Sequence, residues 1–184
     1  YLLANNKRLY REVALRKQRE QEILLLARRD PLTGLPNRLN LMEQLKAQVK
    51  SDSPGCLLFC DPDDFKRIND NFGHSQGDAL LCQLAQRIND AIGHHRFFAR
   101  LAGDEFILLL PGYNTHQAEE VTEVIRQAME APFVVNGQPM QVGISIGVSH
   151  YQSGWSPEQW LIQADRAMYC DKNGGFIALA EQSS

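Results

Sequence analysis

Cysteine is scarce in this sequence of 184 residues, and the four present (Cys56, Cys60, Cys82 and Cys170) form no Cys-x-x-Cys pair and have no histidine at zinc spacing. That argues against a disulfide scaffold and a structural zinc module, and a reduced, cytoplasmic chain is the simpler reading. Basic charge is not in excess: 19 Lys and Arg stand against 22 Asp and Glu, for a net charge of −3. A general nucleic-acid binder is usually basic, so that class is set aside. No apolar run is as long as a membrane span and no signal peptide is visible, so no membrane contact is expected within the sequence. The first residue is not Met, so the sequence is expected to be a piece of a longer protein, and any upstream sensor or membrane segment lies out of view. Glycine and proline are missing from residues 1–29, which are rich in Arg, Lys, Gln, Glu and Leu. That composition predicts one long helix.

Hydrophobic residues make up 43% of the chain, and its length suits one globular domain with an appendage. Within the appendage, Leu2, Asn6, Leu9, Val13, Arg16, Glu20, Ile23 and Ala27 recur at the 4-3 spacing of a coiled-coil seam. The polar middle of that seam, Arg16 and Glu20, weakens it, and Glu12 stands at pairing distance from Arg16 along one helix. A switchable, dimerising stalk is therefore expected over residues 1–29, with the globular domain over 30–184. Asp30-Pro31 ends the stalk, because the residue before proline avoids the helical region. A compact hinge follows to Arg38, with Pro36 placed to open the next helix and Leu39, Met42, Leu45 and Val49 as its apolar face.

The rest of the chain alternates strand and helix. Cys56 to Cys60 reads as a buried strand ending in Asp61, and the acid-rich stretch Asp61–Asp78 leads into a helix marked by Leu81, Leu84, Ala85 and Ile88. Phe97–Leu101 and Phe106–Leu110 read as strands joined by a tight hairpin, the second apolar on both faces and so central in its sheet. Ala118, Val121, Ile125, Ala128 and Met129 mark another helix. Asn136-Gly137 is a hairpin turn between Phe133–Val135 and one long strand carrying Val142, Ile144, Ile146 and Val148 on a single face. Ser156-Pro157-Glu158-Gln159 opens a last helix with Leu161, Ala164 and Met168, which stops near Gly174-Gly175 ahead of a short strand over Phe176–Ala180. The order gives a βαββαβ core, an α+β fold with a ferredoxin-like sheet.

In that topology the first strand and the central hairpin are neighbours, so Asp61 faces Asp104 and Glu105. Two adjacent carboxylates at the tip of a buried hairpin raise each other's pKa, and a bound cation removes that cost. Oxygen ligands of this kind suit Mg²⁺, which bridges substrate phosphates. Lys66 and the N–H groups at the following helix start are placed to hold phosphate oxygens. Gly103 permits positive φ and close backbone approach. This is the equipment of metal-assisted phosphoryl or nucleotidyl transfer.

Four motifs then carry a resemblance: Asp30-x-Leu32-Thr33-Gly34-Leu35-x-Asn37-Arg38, Asp61-x-Asp63-x-Phe65-Lys66-x-Ile68-Asn69-Asp70, Gly73-His74-x-x-Gly77-Asp78 and Ala102-Gly103-Asp104-Glu105-Phe106. In this order they resemble the GGDEF domain of diguanylate cyclases, over about residues 30 to 180. The resemblance implies a nucleotide-cyclase, palm-like form of the fold, behind a signalling helix. It implies condensation of two GTP into cyclic di-GMP and two pyrophosphates, with one GTP on each of two facing domains. By match of position, Asp61, the backbone carbonyl of Pro62 and Asp104 are metal ligands for Mg²⁺ or Mn²⁺. Asp104 is the acceptor of the 3′-hydroxyl proton, and Glu105 is a supporting acid. Asn69, His74 and Asp78 match substrate contacts, Lys66 and Lys172 match phosphate contacts, and Gly103 lets the backbone approach the nucleotide. A carboxylate at Asp78 accepts from guanine N1–H and the exocyclic amine, which favours GTP over ATP. Three positions depart from the family pattern: Ala102 replaces the first glycine, Phe176 stands where many members carry an arginine, and Gly93-His94-His95-Arg96 replaces an inhibitory Arg-x-x-Asp. Product inhibition through that last site is therefore not expected. The alternative to an active cyclase is a catalytically silent GGDEF module that binds GTP or a partner and regulates a neighbouring domain.

Overall fold

The computed structural model of the chain describes residues 2–173. Helix α1 (Leu2–Leu26) comes first, and three of the seam positions are open to solvent: Leu9 is 60% exposed, Val13 46% and Ile23 64%. Arg16 pairs along the helix with Glu20 at 3.3 Å. The following segment doubles back, with Arg29 bridging to Pro36. Asn37 rather than Pro36 starts α2 (Arg38–Lys50): its side chain accepts from Asn40 N–H at 3.1 Å and donates to the Ala27 carbonyl at 2.8 Å. Pro36 thus sits before the cap, where its carbonyl accepts from the N–H of Arg100 at 2.9 Å.

Strand β1 (Gly55–Pro62) is buried along its whole length, because it runs between two other strands. After it come α3 (Phe65–Phe72), α4 (His74–Ile92), β2 (Phe97–Ala102), β3 (Glu105–Pro111), α5 (Thr115–Ala128), β4 (Phe133–Val135), β5 (Gln138–Met140), β6 (Ile144–His150) and α6 (Pro157–Lys172). The main sheet has the order β2-β3-β1-β6, antiparallel at every junction. This is the expected α+β, ferredoxin-like βαββαβ arrangement, and β3 lies inside it with Phe106–Leu110 buried on both faces. Strand alternation sorts the core. Cys56, Leu58, Cys60, Phe106 and Leu108 meet α4 and α5 on one side, while Leu57, Phe59, Ile107 and Leu109 meet α2 and α6 on the other. Each such side chain contributes about 1.5–3 kcal/mol through burial. Truncating Leu58, which is 0% exposed, would cost about 2–5 kcal/mol.

Two further expectations are corrected. The inward stripe of α2 is Leu41 and Leu45, both 0% exposed, whereas Leu39 is 53% exposed. Leu39 lies two residues from Leu41, which on a helix is nearly the opposite face, so the apolar run carried two competing stripes. The expected long strand is two strands in different sheets: β5 pairs with β4, and β6 pairs with β1. The chain leaves the hairpin after Met140, and at Gly143 its carbonyl accepts from the N–H of Asp63, at the start of the segment that pairs with β1. The turn itself is as expected, with positive φ at both Asn136 and Gly137. The α6 face is as expected, with Ala164 and Met168 buried and Leu161 packed against them; Trp160, at 0% exposure, joins it, and its Nε1–H reaches the Ser149 carbonyl at 3.0 Å. The helix stop at Gly174-Gly175, the strand over Phe176–Ala180 and the Phe176 departure lie outside the described residues.

Candidate active site

The hairpin that joins β2 and β3 turns through two residues, with Ala102 paired to Glu105 and a bulge between Arg100 and Ala102. Gly103 has φ of 49° and Asp104 does not share the positive φ, which is the pattern of a turn with glycine first. Beside it, β1 pairs Cys60 with Phe106, so Asp61 follows directly alongside Glu105 and Asp104. Asp61 is 9% exposed and is one of the few polar side chains in the core. The amine of Lys172, from the last turn of α6, donates to Asp61 Oδ1 at 2.8 Å.

Electrostatics mark this corner. Burial, and then the charge of Asp61, raises the pKa of Asp104 above its ordinary value. Burial, and then the charge of Asp104, raises that of Glu105. The hydrogen bond to Asp61 raises that of Lys172. The charged forms of the two hairpin acids are thus destabilised, and one ammonium lies against Asp61. Cys60, one residue from Asp61, is fully buried and its thiol is pushed up to about 12 by burial, so no thiolate competes as a ligand. Among the described residues, no three His, Cys, Asp or Glu side chains converge on one ready metal-binding point. Asp63, two residues on, accepts from Ser145 Oγ at 2.5 Å and lies against Gly143, where a methyl group would overlap its carboxylate.

Four of the expected contacts sit on the two helices that follow β1. Asp64 takes a left-handed φ of 55° at the start of α3 and makes no side-chain cap, which leaves the first N–H groups of that helix uncapped by it. Lys66 is exposed on α3, His74 is exposed at the first position of α4, and Asp78 is exposed one turn later. Asn69 is half-buried and packs directly against Gly77: a methyl group at Gly77 would overlap its Oδ1. The structure brings Asp61, Asp104, Glu105 and Lys172 together, and separately seats Asn69 beside the turn that carries Asp78. Lys66 and His74 make no hydrogen bond or ion pair among the described residues.

Arg100 ties the hinge to this corner. Its Nε donates to the Gly103 carbonyl at 2.8 Å, and its Nη1 reaches Asp30 Oδ2 at 3.0 Å and Oδ1 at 3.1 Å. Burial alone would raise the pKa of Asp30, but hydrogen bonds from Thr33 and Arg100 outweigh it and lower it. Sequence reasoning did not pick out Arg100, nor Asp171 of α6, which accepts from Arg126 and from the N–H of Ile146. The only signal for either was adjacency, Arg100 to the hairpin and Asp171 to Lys172.

With this geometry in place, the comparisons give the class. The family described as "Diguanylate cyclase, GGDEF domain" matches residues 27–177. The chain belongs to the GGDEF family. Over 151 residues it is 38% identical to the diguanylate cyclase DgcP of Pseudomonas aeruginosa, covering 79% of this chain and 22% of that one. Over 160 residues it is 34% identical to the bifunctional diguanylate cyclase/cyclic di-GMP phosphodiesterase MucR of the same species, covering 84% and 23%. The chain therefore spans less than a quarter of the length of these relatives. Among solved structures, it resembles the coiled coil and GGDEF domain of DgcB from Caulobacter crescentus in complex with c-di-GMP, with a TM-score of 0.85, 26% identity and 95% of each chain covered.

Proposed function

We propose that this domain condenses two GTP into cyclic di-GMP and two pyrophosphates. The observation that carries the reading is the meeting of Asp61, Asp104 and Glu105 at one strand end, where two carboxylates are held above their ordinary pKa values beside a buried third. A cation relieves that repulsion, and the donor set, two carboxylates and the Pro62 carbonyl, is all oxygen, which fits Mg²⁺ or Mn²⁺. Asp61, Asp104 and Pro62 are the residues that would hold it, and the ion would supply neutralisation of charge on the reacting phosphates. With so few protein ligands, an ion held there would depend on the nucleotide for its affinity, so metal and nucleotide would bind together.

The chain's own residues have separate tasks in this reading. Asn69 and Asp78 bind guanine, with Asp78 accepting from N1–H and the exocyclic amine. Lys66, the start of α3 and Lys172 hold phosphates, and Lys172 leaves Asp61 to do so. Gly103 lets the turn lie against the nucleotide, while His74 contacts it from the start of α4. Asp104 accepts the proton of the 3′-hydroxyl as that oxygen bonds to the α-phosphorus of the other GTP and the bond to pyrophosphate breaks. A raised pKa suits a general base working near neutrality, and Glu105 supports it.

One domain offers one nucleotide, so two must face each other. Residues 1–29 act as a dimerising stalk for the domain over 30–184, and the solvent-facing Leu9, Val13 and Ile23 supply the apolar seam. The likeness of the whole chain to a coiled coil and GGDEF domain supports that reading. Ala102 is exposed, so its extra methyl group intrudes on nothing packed, which favours an active enzyme over a silent module. Gly93 and Arg96 in place of an inhibitory pair leave no product brake at that site. The test is incubation with GTP and Mg²⁺ of the natural chain and of Asp104→Asn. The natural chain should form cyclic di-GMP and the folded variant none; an active Asp104→Asn would remove the site assignment.

A further inference from the structure

The last turn of α6 is held at two adjacent residues that reach in different directions. Asp171 accepts from Nη2 of Arg126, on α5, at 3.0 Å and 2.9 Å, and from the backbone N–H of Ile146 in β6 at 2.9 Å. Among the described residues β6 pairs only with β1, and on its other side this carboxylate satisfies the N–H of Ile146. Lys172 sends its amine the other way, to Asp61 in β1, at 2.8 Å. Adjacent side chains on a helix stand roughly 100° apart, so fixing the azimuth of Asp171 fixes that of Lys172. The need for an anchor is physical. Helix ends fray, and a lysine with 38% of its side chain exposed loses several rotors on settling at one carboxylate.

We propose that Asp171, clamped by Arg126 and the Ile146 N–H, is the positioning residue that holds the end of α6 and so aims Lys172 at Asp61 and at the nucleotide phosphates beside it. Asp171 touches neither the site's carboxylates nor substrate; it acts through Lys172. The Asp61 half of the proposal stands on the ion pair alone, and the phosphate half rests on the cyclase reading above.

The experiment is a mutant cycle on the full chain at fixed protein concentration: wild type, Asp171→Ala, Lys172→Ala and the double variant, with steady-state kinetics in GTP. Asp171→Ala should raise KM about fivefold to tenfold, the loss of one or two modest hydrogen bonds, with a much smaller change in kcat. In the Lys172→Ala background the same replacement should change KM no further. An anchor that merely stabilised the fold would act equally in both backgrounds, so multiplicative effects overturn the proposal, as does an unchanged KM for Asp171→Ala. If Asp171→Ala does not fold, Arg126→Gln takes its place, because it keeps the bond to Ile146. Its smaller rise in KM, about twofold to threefold, should likewise vanish without Lys172, and an unchanged KM again overturns the clamp. A wild-type chain that leaves GTP untouched refutes the cyclase reading instead. The clamp is then read from ¹⁵N NMR of the nucleotide-free protein, in which the ammonium held on Asp61 should give a slowly exchanging signal that Lys172→Ala identifies. Loss of that signal in Asp171→Ala supports the clamp, and its survival unchanged overturns it.

Discussion

Replacing Gly77 with alanine should separate stability from substrate binding. Gly77 lies in the second turn of α4, buried against α3. A methyl group there would overlap Asn69 Oδ1, stand 3.0 Å from Asn69 Cγ and 3.1 Å from Phe65 Cζ. The nearest obstacle is the end of a flexible side chain, so the amide swings away and the helices need not part. Alanine gains about 0.8–1 kcal/mol over glycine inside a helix. Pushing Asn69 off its rotamer costs about 0.5–1.5 kcal/mol. These terms nearly cancel, so urea unfolding should show a change below about 1 kcal/mol in either direction. On the proposed reading, Asn69 then no longer meets the guanine edge. Losing one such hydrogen bond, at about 1–1.5 kcal/mol, means roughly a tenfold higher KM for GTP. Steady-state kinetics and urea unfolding on the same preparation decide the matter. A normal KM, or a stability loss above about 2 kcal/mol, would refute the reasoning that Gly77 exists to seat Asn69.

Gly147→Ala should behave in the opposite way, because its methyl group would overlap backbone atoms of α6, the Met168 N and the Ala164 carbonyl oxygen, and lie 2.6 Å from the Ala167 carbonyl carbon. β6 and α6 must then move apart, at a cost of about 3 kcal/mol, and a thermal melt should fall by about 6–12 °C; a change under 2 °C would contradict the packing. Asp104, whose folded pKa is raised, weakens the nucleotide-free fold at neutral pH, fully above the folded pKa and not at all below the unfolded value. Asp104→Asn should therefore unfold at higher urea than wild type at pH 7, with the gap closing as pH falls through that window; a variant less stable at pH 7 would reverse the sign. Deleting residues 1–26 should make the specific rate climb steeply with protein concentration, since a stalk supplies an effective concentration in about the millimolar range. A concentration-independent rate equal to that of the full chain would reduce α1 to a tether.

Much of this was legible from periodicity. The apolar run Phe106–Leu110 announced a central strand, and the 3.6-residue stripe of α4 appears with Leu81, Leu84, Ala85 and Ile88 all buried. The Ser156–Gln159 cap and the Asn136-Gly137 turn read correctly, because their chemistry is local. What failed was non-local. Nothing in Val142–Val148 tells whether a strand stays with its hairpin or crosses to β1, since either choice buries the same face. Leu41 and Leu39 offered rival stripes that only the sheet beneath α2 decides between. In the site, acid spacing and hairpin topology foretold the meeting of Asp61 with Asp104 and Glu105. The ion pair from Lys172 to Asp61, the Arg126–Asp171 contact and the Arg100–Asp30 link join residues 111, 45 and 70 positions apart, and no local pattern reports them.

The most direct test of the central claim is product stoichiometry. The chain incubated with GTP and Mg²⁺ should release two pyrophosphates for every cyclic di-GMP formed, with little or no product from ATP and none without the divalent ion. Release of GMP or GDP alone, equal turnover of ATP, or intact GTP at protein concentrations high enough for the stalks to pair would contradict it.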